Sequence, residues 1–358
     1  MQVAYASLPP PSLKLPNPNP KAKVCCIAAS YPPKTPQTKT TSQHYHGDRD
    51  TDDGVDNPVR VKFPLPPTNV NCIVATSNPF VRHCVKLIRS SAYRHSHASA
   101  VVVGATPIRE IHKSQESLEE KTVEIECLFL LDNIEVPEGL TNCSPRVLRV
   151  SSFVMKKLSQ LQSTECTEAI ALMKFPSTYF LLDDGRNNED CRKWFPSPHR
   201  ILVLERIQDP GNLGTLLRSA VAFKWSGVFL LPGCCDPFNV KVLRASRGAS
   251  FQIPIVSGDW HHLEALKHEF QMKMLGGHPD SSDELKPVVR LSQAFADGLA
   301  DVPLCLVLGN EARGLSDQAQ QDCELISIPM AGEFESLNVA VAGGIFLYML
   351  QSENRRIV

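Results

Sequence analysis

From Arg200 onward, short runs of aliphatic residues alternate with longer segments in which apolar residues recur at helical spacing. Short, near-continuous apolar runs are typical of strands buried on both faces, and such strands belong to parallel sheets that are covered by helices. The pattern therefore predicts an α/β fold built on a parallel sheet. The predicted strands are 201–204, 228–231, 251–256, 272–275, 304–308 and 325–328, and the predicted helices are 214–223, 239–246, 261–270 and 337–350.

Residues 70–190 show a more mixed pattern, and we predict that they form a small α/β domain of their own. The polar segment Ser77-Asn78-Pro79 can begin a helix, because Ser or Asn caps a helix N-terminus and Pro suits the first helical position. We predict this helix from Phe80 to about Tyr93. The predicted strands of this domain are 100–104 and 126–131.

Cations recur at helical spacing in two segments of the chain. Residues at i, i+4 and i+7 share a helix face, and phosphates of nucleic acids are contacted mainly by Arg and Lys. Local clusters matter here because residues 200–358 contain 14 basic and 18 acidic residues, so overall charge does not attract a polyanion. The alternative is an ordinary solvated helix face. The predicted RNA contacts are Arg82, Lys86 and Arg89 in the first segment, with Arg94 just beyond, and Arg244 and Arg247 in the second.

The first 47 residues contain no Asp or Glu, five Lys and nine Pro. They lack apolar periodicity, so we predict that they are disordered. An acid-free, hydroxyl-rich start is typical of an organellar transit peptide, and the absence of Arg before Arg49 favours a chloroplast over a mitochondrion. An ordinary disordered extension is the alternative. Residues 48–60 are acidic and are predicted to be a linker, which completes a leader and linker at 1–60.

The chain shows no signal for a membrane or for a metal. No stretch reaches the roughly 18 uninterrupted apolar residues of a spanning helix. The most apolar stretch, from Leu337 to Leu350, has the length of a core helix, and we expect it inside the fold or at a dimer interface. The twelve cysteines include no Cys-x-x-Cys pair and the eleven histidines show no ligand spacing, so no metal is predicted.

Three short segments place glycine and small polar residues beside apolar strands. This arrangement brings bare backbone to a ligand at the carboxyl ends of parallel strands. The second segment lacks both the Gly-Lys-Ser/Thr ending of a phosphate loop and the dinucleotide fingerprint. The segments are Asn212-Leu213-Gly214-Thr215-Leu216-Leu217-Arg218, then Leu308-Gly309-Asn310-Glu311-Ala312-Arg313-Gly314-Leu315-Ser316, then Ile328-Pro329-Met330 with Glu335-Ser336-Leu337-Asn338-Val339.

In order and spacing, these three motifs resemble those of the SpoU-type (TrmH-like) RNA ribose methyltransferases of the SPOUT superfamily. The resemblance covers about residues 70–355 and is strongest after Arg200. It implies a SPOUT domain at 198–355 that ends in a trefoil knot, preceded at 70–190 by a small ribosomal-protein-like domain that binds the RNA substrate. It also implies S-adenosyl-L-methionine as the cofactor, and a homodimer that buries the C-terminal helix.

The resemblance also implies roles for individual residues. Arg218 matches the family's catalytic arginine. Because arginine stays protonated, we expect it to bind a phosphate and stabilise an alkoxide, and because burial of an unpaired guanidinium is costly, we expect a buried Arg218 to hold an anion. Glu311 is expected to pair with Arg218 or with an arginine of a second subunit. The implied catalytic residues are Asn212, Arg218, Glu311, Ser336 and Asn338, and the implied cofactor-binding residues are Leu308, Gly309, Gly314, Ile328, Met330 and Leu337.

Several alternatives remain open at this point. Ser336 and Asn338 are also good caps for the last helix. Ribosomal RNA is the expected substrate and transfer RNA is the alternative. A non-catalytic RNA-binding or ribosome-assembly factor is a further alternative, although the complete set of polar motif residues argues against it. A nucleotide-dependent metabolic enzyme is disfavoured, because it requires a phosphate loop or a dinucleotide fingerprint.

Overall fold

The first part of the fold is a four-stranded mixed sheet. A computed structural model describes residues 72–141, 143, 146–161, 167–182, 190–279 and 286–352, so the predicted leader and linker at 1–60 lie outside the described residues. The strands of this sheet are β1 (Ser99–Val103), β2 (Ile125–Leu131), β3 (Val147–Val150) and β4 (Ile170–Lys174). Their order is β1-β4-β2-β3, in which β4 is antiparallel to both neighbours and β3 is parallel to β2.

Helices cover both faces of this sheet. Apolar residues of the first and fourth helices form one core with the sheet, whereas the third helix packs on the opposite face in a separate core. The solvent-exposed sides of the first and fourth helices therefore form a common outer layer. The helices are α1 (Pro79–Arg89), α2 (Ser91–His97), α3 (Ala105–Glu116) and α4 (Ser152–Ser159).

The helix predicted from Phe80 to about Tyr93 is in fact two helices, α1 and α2. The chain leaves helical geometry at Ser90, which has φ −122° and ψ 118°. The Ser90 hydroxyl accepts a hydrogen bond from Tyr93 N at 3.2 Å and so caps the second helix. A serine that can satisfy a new helix N-terminus allows this break, and periodicity alone did not reveal it.

The second part of the fold is an eight-stranded sheet in which every pairing is parallel, which confirms the predicted α/β fold class. The strand order is β10-β12-β9-β11-β6-β7-β8-β5. The strands are β5 (Tyr179–Leu181), β6 (Arg200–Leu204), β7 (Gly227–Leu230), β8 (Ile255–Ser257), β9 (Lys273–Gly277), β10 (Val288–Arg290), β11 (Leu304–Leu308) and β12 (Glu324–Ser327). The helices of this part are α5 (Cys191–Trp194), α6 (Pro210–Ala222), α7 (Val240–Ala245), α8 (Trp260–Glu269), α9 (Gln293–Gly298), α10 (Asp317–Asp322) and α11 (Val339–Met349).

The two edge strands of the large sheet, β5 and β10, were not predicted. Each has only three residues, which is too short for a clear apolar run. Because β5 pairs with β8, the chain enters the large sheet at Tyr179, before the predicted start of the second domain at 198. The predicted division into domains and the trefoil knot stay predictions.

Helices cover the large sheet on both faces, as the apolar strands require. On one face, α6 and α11 form a core with alternate residues of β6 and β11. On the other face, α8 and α10 form a second core with the remaining residues of the same strands. The carboxyl ends of β6, β9, β11 and β12 are thus left at one edge, where the three motifs meet.

A buried ion pair joins the two parts of the fold. The Arg94 guanidinium donates from Nε and Nη2 to Asp236 Oδ2, at 2.9 and 2.6 Å, and also from Nη1 to the Leu87 carbonyl. Ser91 Oγ donates to the same Asp236 oxygen at 2.6 Å. Phe238 extends the junction into the core between α3 and the small sheet. Arg94, which lies just beyond the predicted basic stripe, therefore belongs to the junction between the two parts of the fold.

A second buried arginine, Arg200 at the start of β6, is 2% exposed and donates hydrogen bonds to five backbone carbonyls. The acceptors include Leu350 O at 2.6 Å, at the end of α11, and Leu299 O at 2.8 Å, at the end of α9. These carbonyls form the negative ends of helix dipoles, so a cation is favourable there. Burial lowers the pKa of Arg200 to about 10, although the charge of Asp301 opposes this effect.

We predict that Arg200→Met destabilises the fold by about 3 kcal/mol or more, because the substitution leaves several buried carbonyls without donors. The free energy of unfolding, measured by chemical denaturation, tests this prediction. Arg192→Met is the matched control, since Arg192 forms an exposed ion pair with Glu269 and its loss should cost less than about 1 kcal/mol. Equal effects of the two substitutions would contradict the role given to Arg200.

Candidate functional site

The second motif forms a closed loop directly after β11. Asn310 and Gly314 exchange two backbone hydrogen bonds of 2.9 Å each, which closes residues 310–314. Gly314 has φ +69°, which favours glycine. A Cβ on Gly309 would overlap the carbonyl group of Gly314, so this position also requires glycine. The Asn310 side chain accepts from the amides of Ala312 and Arg313 and fixes the inside of the loop.

Glu311 ties this loop to the neighbouring one. Its carboxylate accepts hydrogen bonds from Gln208 N at 3.2 Å and from Asp209 N at 3.0 Å, both of which lie between β6 and α6. It also accepts from Asn212 Nδ2 at 3.3 Å, in the first turn of α6. Because β6 and β11 are adjacent strands, their loops emerge side by side, and one carboxylate is enough to connect the first and second motifs.

Asn338 connects the third motif to the same network. Its Oδ1 accepts from Ala340 N at 2.9 Å and from Val341 N at 3.3 Å, so Asn338 caps α11. Its Nδ2 donates to Asn212 Oδ1 at 3.1 Å. The side chains of Asn338, Asn212 and Glu311 therefore form a continuous chain of hydrogen bonds, which we call the motif relay.

The hydrogen bonds to Glu311 change the pKa of its carboxyl group. Burial of the carboxyl group alone would raise this pKa, but the hydrogen bonds from Asp209 N, from the amide of Glu311 itself, from Asn212 and from Gln208 N favour the ionised form. The net effect is a lowered pKa. Glu311 is therefore a fixed negative charge at neutral pH, and several N–H groups already occupy its oxygens.

A cavity of about 320 Å³ opens beside the closed loop, at the carboxyl ends of β9, β11 and β12. Its walls combine backbone of the closed loop with apolar side chains. Its charged lining residues are Glu311, Arg313 and Glu335. The predicted site residues that line it are Leu308, Gly309, Glu311, Gly314, Ile328, Met330, Ser336 and Leu337.

Two of the remaining catalytic predictions, Asn212 and Asn338, are connected to this cavity through Glu311. Asn212 and Asn338 do not line it, but the motif relay connects them to Glu311. Of the two residues that could cap the last helix, Asn338 caps α11 and Ser336 does not.

Arg218 lies elsewhere on α6 and is exposed, so the argument that treated it as a buried guanidinium was wrong. The reason is that α6 buries Leu213, Leu216 and Leu217 against the sheet, which turns position 218 outward. Within the described part of the chain, no arginine pairs with Glu311, whose oxygens are taken by amide donors.

Of the predicted RNA contacts, Arg82, Lys86, Arg89 and Arg244 are exposed, and the first three share one face of α1. Arg247 instead forms an ion pair with Glu110 at 3.4 Å. The role of these residues in RNA binding stays a prediction.

The sequence reasoning missed several residues of the site. The amides of Gln208 and Asp209 hold Glu311, and backbone donors leave no signal in residue identity. Gly277 and Phe346 line the cavity. Gly276 and Gly277 directly follow the strand predicted at 272–275. They were a usable signal, because the motifs also place glycine after a strand.

Within the described ranges, no group of three or more His, Cys, Asp or Glu residues is placed to hold a metal ion. The nine cysteines that the structure describes are free thiols. None of the described helices is both long enough and apolar enough to cross a membrane.

We predict that two substitutions at Asn338 distinguish its role as the cap of α11 from its hydrogen bond to Asn212. Asn338→Ala removes both, and the lost cap should lower the free energy of unfolding by about 1 kcal/mol. Asn338→Ser keeps a capping oxygen, but its side chain is too short to replace the Asn338 Nδ2 donor to Asn212, so most of that stability should remain. Chemical denaturation of the two variants measures the difference. Equal loss in both would show that the cap does not account for the stability.

A second prediction concerns the pH dependence of stability. A carboxyl group with a lowered pKa in the folded state contributes stability above its ordinary pKa and loses it as the pH falls through the lowered value. The unfolding free energy of the natural protein should therefore exceed that of Glu311→Gln at neutral pH, and the difference should shrink in acid. A difference in unfolding free energy that does not change with pH would contradict the ionised state of Glu311.

Solved structures of similar fold support the assignment of the architecture. The crystal structure of an RNA 2′-O ribose methyltransferase aligns with 78% of this chain and 97% of its own, with a TM-score of 0.59 and 24% identity. An rRNA methyltransferase from Sinorhizobium meliloti with bound AdoMet aligns with 81% of this chain and 100% of its own, with a TM-score of 0.60 and 23% identity. At these identities the likeness shows a shared fold alone.

Two relatives in sequence align with less than half of this chain. An uncharacterized tRNA/rRNA methyltransferase of Synechocystis sp. is 37% identical over 156 residues, which cover 43% of this chain and 54% of the relative. The 23S rRNA (guanosine(2553)-2′-O)-methyltransferase RlmP of Bacillus subtilis is 34% identical over 154 residues, 42% of this chain and 58% of the relative. The chain thus aligns with little more than half the length of these relatives. The model of the SpoU rRNA Methylase family matches residues 199–348, the part of the chain that holds all three motifs.

Proposed function

We propose that the protein transfers a methyl group from S-adenosyl-L-methionine to a ribose 2′-hydroxyl of RNA, and that its substrate is ribosomal RNA in an organelle. The observation that carries the proposal is the motif relay, which joins the three family motifs beside a cavity of about 320 Å³. A factor that had lost its chemistry would have no need to keep this polar network at the mouth of a ligand-sized cavity.

The residues of the cavity fit S-adenosyl-L-methionine. A volume of about 320 Å³ lies at the lower end of the range for small-molecule sites. Leu308, Ile328 and Phe346 offer apolar surface for an adenine ring, and the bare backbone at Gly309 allows close approach. The charged side chains of the lining are Glu311, Arg313 and Glu335, an excess of one negative charge that favours a ligand carrying positive charge. When bound, S-adenosyl-L-methionine supplies an activated methyl group.

The protein's own groups orient the substrate and stabilise charge. Glu311 is an orienting group, because its pKa is lowered and amide donors occupy its oxygens. The Arg218 guanidinium has no hydrogen bond or ion pair within the described residues and is free to bind a phosphate of the substrate and to stabilise the developing alkoxide. We assign contacts with the ribose to Ser336, which lines the cavity, and to Asn338.

Relatives support ribosomal RNA over transfer RNA without excluding either. The Bacillus subtilis relative is named for 23S rRNA, whereas the Synechocystis relative is named for both RNA classes.

An organellar location rests on the acid-free composition of residues 1–47, with the chloroplast preferred to the mitochondrion. A fluorescent fusion that stays in the cytosol would refute the location and leave the activity untouched.

We further propose that the protein acts as a homodimer through α11. This helix is apolar on all sides, yet its outer face leaves Val341 54% and Tyr348 52% exposed. Between them, a Cβ at Gly344 would meet nothing within 4 Å, so a second helix can approach closely. Tyr348 contacts Phe223, just past the end of α6, and α6 also carries the exposed Arg218. A second copy seated on α11 would therefore reach the end of α6, the helix that carries Arg218.

We predict that Arg218→Ala reduces methyl transfer at least about 100-fold, the scale of a lost charge-stabilising group, and leaves the affinity for S-adenosyl-L-methionine within about twofold. Incorporation of labelled methyl groups into organellar RNA and calorimetric titration of the cofactor measure the two effects. Arg192→Ala, at an exposed arginine paired with Glu269, is the control. Unchanged turnover would remove Arg218 from the mechanism.

We predict that Val341→Glu converts the dimer to a monomer and reduces activity, because a charge then faces the apolar interface. Sedimentation equilibrium gives the mass of the assembly. Leu118→Glu, a substitution at another exposed apolar residue, should leave the mass unchanged. A natural protein that is monomeric at micromolar concentration would refute the proposed dimer.

A further inference from the structure

The α4 helix exposes an aromatic ring that the fold does not need. Phe153 is 76% exposed, whereas the apolar contacts of α4 with the sheet are made by Val154, Met155 and Leu158, all fully buried. A large apolar side chain held in water has no stabilising role in the monomer. Its position therefore needs another explanation.

Cations surround this ring on the same surface. Lys156 and Lys157 stand three and four residues after Phe153, so they share its helix face, and both are exposed. The α1 helix packs beside α4 on the same face of the small sheet and exposes its basic stripe on the same side. We call this outer surface of α1 and α4 the basic face. Its cations are Arg82, Lys86, Arg89, Lys156 and Lys157.

The charge of the basic face has one sign. Neither α1 nor α4 contains an Asp or Glu. In the part of the chain that the structure describes, no carboxylate forms an ion pair with any of the five cations; Lys86 lies 5.5 Å from the centre of the Tyr93 ring instead. Unneutralised cations around an apolar ring favour a polyanion that carries flat apolar groups over a purely apolar protein partner.

A second exposed apolar residue, Val74, lies next to the start of α4. Ser151 donates its hydroxyl to the Val74 carbonyl at 3.1 Å, which holds Val74 next to the start of α4. Val74 is itself 67% exposed. The Ser151 side chain also caps α4, so the backbone that presents Phe153 is fixed at its N-terminus.

We infer that Phe153 stacks on an unpaired base of the RNA substrate while the cations of the basic face hold the adjacent phosphates. The inference deepens the proposed function, on which it rests for the identity of the polyanion. Bases in a duplex are stacked on one another and are not available to a side chain, whereas loops and bulges present them. The basic face therefore selects RNA with single-stranded segments.

The test compares substitutions at Phe153 for binding of two RNA probes, a hairpin with an unpaired loop and a fully paired duplex of similar length. Phe153→Ala should weaken binding of the hairpin about tenfold, the scale of one lost base–aromatic stack, and leave the duplex within about twofold. Phe153→Tyr and Phe153→Trp should retain hairpin binding, and Phe153→Leu should not. Leu118→Ala, at an exposed apolar residue outside the basic face, is the matched control.

The fluorescence of Phe153→Trp gives a direct readout, because stacking on a base should quench the new indole when the hairpin is added and not when the duplex is added. In a methylation assay, Phe153→Ala should raise KM for RNA about tenfold and leave kcat at saturating RNA unchanged.

The outcomes separate this inference from the proposed function. Loss of hairpin binding in Phe153→Ala supports the inference even if no methyl transfer is detected. Normal methylation with unchanged KM and unchanged hairpin affinity in Phe153→Ala overturns it, as does equal rescue by Leu, which would indicate an apolar contact to a protein.

Discussion

The Glu311 carboxylate is the acceptor on which the arrangement of the site depends. It accepts hydrogen bonds from backbone amides of the loop after β6 and from Asn212 of α6, while its own loop follows β11. Neighbouring strands of a parallel sheet bring these loops to one edge, but only polar contacts fix their separation. Asn338 extends the network to α11, so three segments distant in sequence become a single structural unit.

Backbone geometry makes this unit possible. The closed loop at 310–314 requires Gly309, because a Cβ there would overlap the Gly314 carbonyl, and Gly314, because its φ is positive. The residues of this compact loop line the cavity beside it. The geometry that closes the loop therefore also shapes one wall of the cavity.

The junction between the two sheets determines how the remainder of the chain serves the site. The buried Arg94–Asp236 ion pair and the packing of Phe238 hold the small sheet against the loop that follows β7. Under the proposed function, the basic face and the motif relay are two contact regions of one substrate, and the junction keeps them at a set distance. Arg200 has a parallel role at the other end of β6, where it holds the ends of α9 and α11.

Much of this could be predicted from the sequence. The strand at 304–308 matches the structure in full because its apolar run is continuous and central. The residues that the family resemblance implied for the cofactor all line the cavity. Other features have no such signal. The strands β5 and β10 are short edges, the break at Ser90 depends on a single cap, and the exposure of Arg218 depends on which side of α6 packs on the sheet. Sequence alone also could not show that Asn338 acts as both a cap and a link.

The most direct test of the account is the chemical position of the methyl group. The purified protein, organellar ribosomal RNA and S-adenosyl-L-methionine labelled in the methyl group would be combined, and the RNA would then be digested to nucleosides and separated. The account predicts that the label lies on the ribose 2′-oxygen of a single nucleotide. Label on a base, or no label in RNA while the cofactor binds normally, would contradict it.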